Sequence, residues 1–174
     1  MAKTTVAPTG REAPFHEGEL IVSKTDLKGR ITYCNDVFLR VAGFDERALI
    51  GAPHSIIRHP DMPRSVFRLL WDTIGSGGEI FAYVLNMSSN GDHYWVLAHV
   101  TPSRDASGRI VSYHSNRRKP RADAVAAISG LYRDLKAIED APSNRKDGMQ
   151  AAYTELNAIL AKKEVSYDRF VLSL

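Results

Sequence analysis

Residues 51–67 read GAPHSIIRHPDMPRSVF and place His54, Arg58, His59, Asp61 and Arg64 among three prolines. Such a set is able to bind a metal, move a proton or hold an anion. A metal reading would need His54, His59 and Asp61 to converge, but i and i+5 do not share a helical face, and Pro60 and Pro63 prevent one helix from carrying them. Hydrolytic chemistry lacks its nucleophile, because Ser55 sits in no glycine elbow of the G-x-S-x-G kind. What remains is a proline-rich turn ahead of a helix, with Asp61 expected as the cap of a helix starting near Pro63.

The elements that must position this turn are legible from periodicity and turn chemistry. Two β-rich runs, 19–24 and 29–34, flank DLKG and predict a hairpin. Asn35 and Asp36 precede VFLRVAG, whose apolar spacing predicts a short helix, and Asp45 to Gly51 predicts another. After Pro63, Val66, Leu69, Leu70 and Ile74 mark one face of a longer helix. Three strand-like runs follow, to about 87, from 92 to 102 and from 109 to 117. They are divided by SSNG and RDASG, which predicts consecutive antiparallel pairing. The fold class is therefore α+β, a five-stranded antiparallel sheet with short helices on one face. Beyond it, stripes over 121–140 and 147–163 predict a C-terminal helical hairpin, and the apolar tail VSYDRFVLSL must fold back or meet a partner.

Length and composition narrow the class. The 174 residues suit one domain with an appendage, and a net charge of +3 from 23 basic and 20 acidic side chains gives no reason to expect nucleic acid as a partner. A single cysteine, Cys34, excludes an internal disulfide framework, and no leader-like segment is seen, which predicts a cytoplasmic protein. No apolar run reaches the ~20 residues of a bilayer crossing, so no integral membrane segment is expected. The basic run NRRKPR, 116–121, reads as an exposed linker. Residues 1–17 read as a flexible leader, 18–118 as a sensor domain and 119–174 as a helical output or interaction region.

The runs DLKGRITYCNDVFLRVAGFDERALIG, NGDHYWV and TPSRDASGRIVSYHS resemble a PAS domain over roughly 18–118. PHSIIRHPDMP followed by NGDHYWV is similar to the FAD-binding PAS domains of Aer-type bacterial aerotaxis receptors. The resemblance implies a PAS fold with FAD in a cleft between the sheet and the short helices, held by Arg58, His59, Asp61, His54, Asn35 and Asn86. It also implies that the opening turn is the rim of this pocket. In those receptors a tryptophan ahead of the third strand belongs to the flavin site, and counting back from NGDHYW places Ile80 there, leaving Trp71, Phe81 and Tyr83 as the nearby aromatics. A cysteine for a covalent flavin bond is missing where PHSI stands, and Cys34 reads as a small buried hydrophobe. Haem is the rival cofactor, with His59, His99 and His114 as axial candidates. A cofactor-free interaction module is the rival function. The implied protein is a sensor without catalytic turnover, relaying redox or oxygen state by contact with a signalling protein such as a receptor or histidine kinase, and able to form a homodimer through its C-terminal stripes.

Overall fold

The structure, a computed structural model, describes residues 6–174. Strands β1 (Ile21–Thr25) and β2 (Ile31–Cys34) form the first hairpin. Helices α1 (Asp36–Ala42) and α2 (Glu46–Leu49), a 3-10 turn over His54–Ile57 and helix α3 (Arg64–Gly75) follow. Strands β3 (Ile80–Met87), β4 (His93–Arg104) and β5 (Ile110–Arg118) complete the sheet. Its order is β2-β1-β5-β4-β3 with every neighbour antiparallel, so the N-terminal hairpin joins the last strand rather than the third.

Turn chemistry sets the first hairpin. The Asp26 carboxylate accepts the Lys28 and Arg30 amides at 2.8 and 2.9 Å, and Gly29 adopts φ +74°, a conformation that favours glycine. A Cβ at Gly29 would also stand 2.9 Å from the Trp71 indole, so this glycine lets the ring of α3 close over the hairpin. On the inner face, Tyr94, Val96, Ala98 and Val100 of β4 alternate with half-exposed neighbours and pack with Val66, Leu70 and Ile74 of α3 in the core. The expected α+β architecture is present, including the three C-terminal strands and the helical hairpin.

The C-terminal region closes onto the sheet. Helices α4 (Ala122–Asp140) and α5 (Arg145–Lys162) pair with each other, and both touch α3. Ile128, Tyr132, Leu135, Ala152 and Leu156 are buried, so the two stripes are covered within the chain. The tail forms α6 (Tyr167–Leu172) along edge strand β3. There the Phe81 amide donates to Asp168 Oδ1 at 2.8 Å, Tyr132 Oη donates to the Tyr83 carbonyl at 2.7 Å, and the Leu85 amide meets Met62 Sδ at 3.4 Å. An edge that would otherwise present unpaired backbone is thereby occupied. The opposite edge, β2, is paired by residues 51–54.

The expectation of a flexible leader fails for residues 9–15. Thr9 and Ala13 donate backbone hydrogen bonds to Gly91 and His93, and Phe15 is buried edge-on against Tyr94. Phe15 and Ala13 supply apolar area to the core, and that burial outweighs the proline-broken composition that suggested looseness. Residues 1–5 of that expectation lie outside the described residues.

Candidate functional site

A cavity of about 280 Å³ lies between the inner face of the sheet and α3. Small-molecule sites begin near ~300 Å³, so it accommodates a ring-sized group. Its apolar walls are Phe67, Leu70, Trp71 and Ile74 from α3 with Val84, Ala98 and Val100 from the sheet. Polar side chains enter from the 3-10 turn (His54, Ser55, Arg58), from β1 (Ser23, Thr25), from β3 (Asn86) and from β5 (Tyr113, Ser115, Arg117). Trp71 meets Tyr113 edge-on at 5.6 Å and is 37% exposed, so it is a partly exposed part of the lining.

The electrostatics are one-sided. Lys28, Arg58 and Arg117 line the cavity and no carboxylate does. Arg117 is 4% exposed, and burial pulls its guanidinium down to about 10, which still leaves it charged near neutrality. It donates through Nη2 to Ser23 Oγ at 2.7 Å and to His54 Nε2 at 2.6 Å, and its face lies over Phe38 at 5.4 Å. Arginine has no acceptor, so His54 Nε2 must accept and its proton sits on Nδ1. Burial and then the charges of Arg117 and Arg58 hold the His54 imidazole well below its ordinary range, so it is neutral. Arg58 stacks on Phe67 at 3.8 Å.

Four polar atoms of cavity residues are buried without a partner among the described residues: Arg58 Nε, Asn86 Nδ2, Ser115 Oγ and Arg117 Nη1. Three are certain N–H donors and the fourth is a hydroxyl that donates or accepts. Buried donors rarely stay unpaired, because each lost partner costs about 1–3 kcal/mol. Their concentration here fits a ligand that offers acceptors or negative charge.

Of the residues expected at the site, His54, Arg58, Asn86 and Trp71 meet in this cavity. The other four do not line it. Asn35 spends its side chain on backbone, accepting from Val22 and Phe38 amides and donating to the Leu20 carbonyl, so it fixes α1 to β1. Ile80 is 2% exposed and pairs with Val100 at the start of β3, within the core rather than at a cleft mouth. Trp71, unlike Ile80, lines the cavity. His59, expected at the rim of the pocket, is buried outside its lining. Its Nδ1 accepts the Asp61 amide at 3.1 Å, and it lines a second cavity of about 440 Å³ with Arg58, Arg64, Lys136, Glu139 and Arg145.

Asp61 does not cap α3, since its carboxylate is 77% exposed. Glu139, from the end of α4, does so: its oxygens accept the Arg64 amide at 2.9 Å and the Ser65 amide at 2.7 Å, and Arg64 Nε adds a bond at 3.2 Å. Of the other histidines proposed for haem, His99 lies outside the cavity and His114 belongs to its lining. His99 stacks on Phe81 at 4.1 Å and pairs with Glu79, while His114 bonds Asn116 at the rim. Cys34 is buried and lines neither cavity. Among the described residues no group of histidine, cysteine and acidic side chains could hold a metal ion.

Residues 31–117 match the PAS fold family. The chain belongs to that family. The chain is also similar to the aerotaxis receptor of Escherichia coli (strain K12), 38% identical over 129 residues, which is 74% of this chain and 25% of the receptor. Phototropin-1A of Oryza sativa subsp. japonica is 25% identical over 46% of this chain and 9% of its own length. The chain therefore spans a quarter or less of these relatives. Among solved structures, the light state of the blue-light photoreceptor Aureochrome1 LOV shares the PAS fold with a TM-score of 0.57 and 24% identity, covering 63% of this chain and 88% of that one. A light-oxygen-voltage domain studied with a flavin analogue gives 0.59 at 18% identity, covering 67% and 88%. No helix among the described residues is long and apolar enough to cross a membrane.

Proposed function

We propose that the cavity holds the isoalloxazine of a noncovalently bound FAD and that the chain is a PAS sensor relaying redox or oxygen state to another signalling protein, such as a receptor or histidine kinase, without catalysing a reaction. The observation that carries this reading is the cavity itself, where three cations, no carboxylate and four unpartnered polar atoms surround a ring-sized apolar slot. The similarity to a protein named aerotaxis receptor supports the sensory part.

The residues present fit such a group. Asn86 Nδ2 and Ser115 Oγ are placed to bond the polar edge of a heterocycle, and Trp71, Phe67 and Leu70 to cover its faces. Arg117, held by Ser23 and His54, is a fixed positive charge that favours any anionic form of the occupant, and neutral His54 adds no competing charge. When bound, the flavin supplies the redox chemistry, and the chain supplies binding, orientation and charge. A side-chain-packed module without cofactor would be expected to satisfy these atoms internally.

Titrating the flavin-free protein with FAD, FMN and riboflavin, followed by fluorescence quenching, tests the proposal. Saturable quenching by FAD that is lost in Asn86→Leu supports it. Absence of binding by all three would leave the cofactor-free module.

A further inference from the structure

The second cavity, of about 440 Å³, lies where the 3-10 turn and the start of α3 meet the connection between α4 and α5. Four cations line it, Arg58, Arg64, Lys136 and Arg145, against two carboxylates, Glu139 and Asp140. Both carboxylates are engaged within the chain. Glu139 accepts the Arg64 and Ser65 amides and Arg64 Nε, and Asp140 is paired with Lys136 one helical turn away. Arg58 and Arg145 have no carboxylate partner among the described residues, so two positive charges of the lining go uncompensated.

The lining also offers unmet donors. His59 is 5% exposed and its Nδ1 accepts the Asp61 amide at 3.1 Å, so the ring proton sits on Nε2, which bonds no acceptor among the described residues. Burial lowers its imidazole from the ordinary range, so the ring is a neutral donor. Arg58 Nε is buried and unpartnered. An occupant that satisfies this lining brings several acceptors and close to two negative charges. A phosphoryl group does both, since a phosphomonoester carries about −1.5 to −2 near neutral pH and its oxygens match the guanidinium fork. A carboxylate brings a single charge and leaves half of the excess uncompensated.

We propose that the second cavity is a phosphoryl-binding site shared between the PAS core and the C-terminal hairpin, with Arg58 and His59 supplied by the turn and Arg145 by the start of α5. The hairpin lies beyond the residues that match the PAS family, 31–117, yet the site is incomplete without it. Two sources of the phosphoryl group fit. Ser55 and Arg58 line both cavities, so one source is the diphosphate of a dinucleotide whose ring occupies the first cavity, and this source rests on the flavin reading above. The other is a free phosphate ester, for which the site stands without that reading.

The test is calorimetric titration of the flavin-free full chain with inorganic diphosphate at constant ionic strength. The parent chain should bind saturably. Arg145→Gln, at an exposed residue whose loss leaves the fold intact, and Arg58→Gln should each weaken binding about tenfold or more, the worth of a charged hydrogen bond. Arg47→Gln, which removes an exposed cation of α2, should leave binding within about twofold. No binding by the parent chain at millimolar diphosphate, or an equal loss in Arg47→Gln, overturns the site. Competition then identifies the source. FAD loading that blocks diphosphate uptake, with Arg145→Gln weakening FAD about tenfold and riboflavin less than about twofold, assigns the dinucleotide. Undiminished diphosphate binding to FAD-loaded protein assigns a free phosphate ester and supports the site equally. Diphosphate binding by a chain that takes up no FAD counts against the flavin reading alone.

Discussion

Two buried polar clusters, built from neighbouring parts of the chain, differ in how completely they close. Around Glu139 both carboxylate oxygens are taken, and Ser65 Oγ is the unpartnered side-chain atom beside them. Around Arg117 and Arg58 the cations have no acid partner in the cavity, and four polar atoms remain open. The first cluster joins elements of the fold, so its hydrogen bonds are completed inside the molecule. The second leaves four polar atoms without a partner among the described residues, which is costly for buried groups.

Breaking the closed cluster should cost most. Glu139→Ala leaves two amides of α3 and Arg64 without their acceptor and is expected to destabilise the protein by roughly 2–4 kcal/mol in urea unfolding. Asp61→Ala, at an exposed carboxylate, should change stability by less than about 0.5 kcal/mol. Equal effects would return the cap to Asp61.

Breaking the open cluster should have opposite signs for stability and binding. Arg117→Met removes a buried, incompletely paired charge while keeping volume, so the ligand-free protein should melt higher, by roughly 1–3 kcal/mol of stability. The same change should weaken FAD binding by about ten- to hundredfold, the worth of a charged hydrogen bond. A lower melting temperature without ligand would mean that Arg117 is structural.

Acid should open the same cluster more gently. His54 has a folded-state pKa below its unfolded value of about 6.5, so its contribution is fully present above that pH and is lost as pH falls below it. Protonation would set a second cation 2.6 Å from Arg117 Nη2. Stability should therefore decline between about pH 7 and pH 5, and His54→Asn should flatten that slope in thermal melts across this range. The smallest effect is expected at the partly exposed lining, where Trp71→Phe should weaken flavin binding by about 0.5–1.5 kcal/mol, roughly two- to tenfold. Ile80→Ala should instead lower stability and leave affinity nearly unchanged.

These clusters also mark where the sequence is readable. Asp26 with Gly29, the Asn90-Gly91 turn and the inward alternation of β4 are local signals, and they lead to the sheet directly. His54, Arg58, Asn86 and Trp71 are recoverable from the resemblance to FAD-binding PAS domains. Arg117 is lost in NRRKPR because a run of cations reads as solvated, although Tyr113, Ser115 and Arg117 alternate on one face of β5 and that period points inward. Glu139 offers no local cue, since it caps a helix 75 residues away in sequence. Asp61 misleads for the complementary reason, being close in sequence to a helix start that another element completes.

The central claim, that the open cluster is completed by a flavin, is tested most directly on the protein as purified. The chain should be yellow, with flavin absorbance bands that are released on denaturation and a released compound identified as FAD by mass spectrometry. A colourless protein that takes up no flavin on incubation, and whose melting temperature is unchanged by excess FAD, would contradict it.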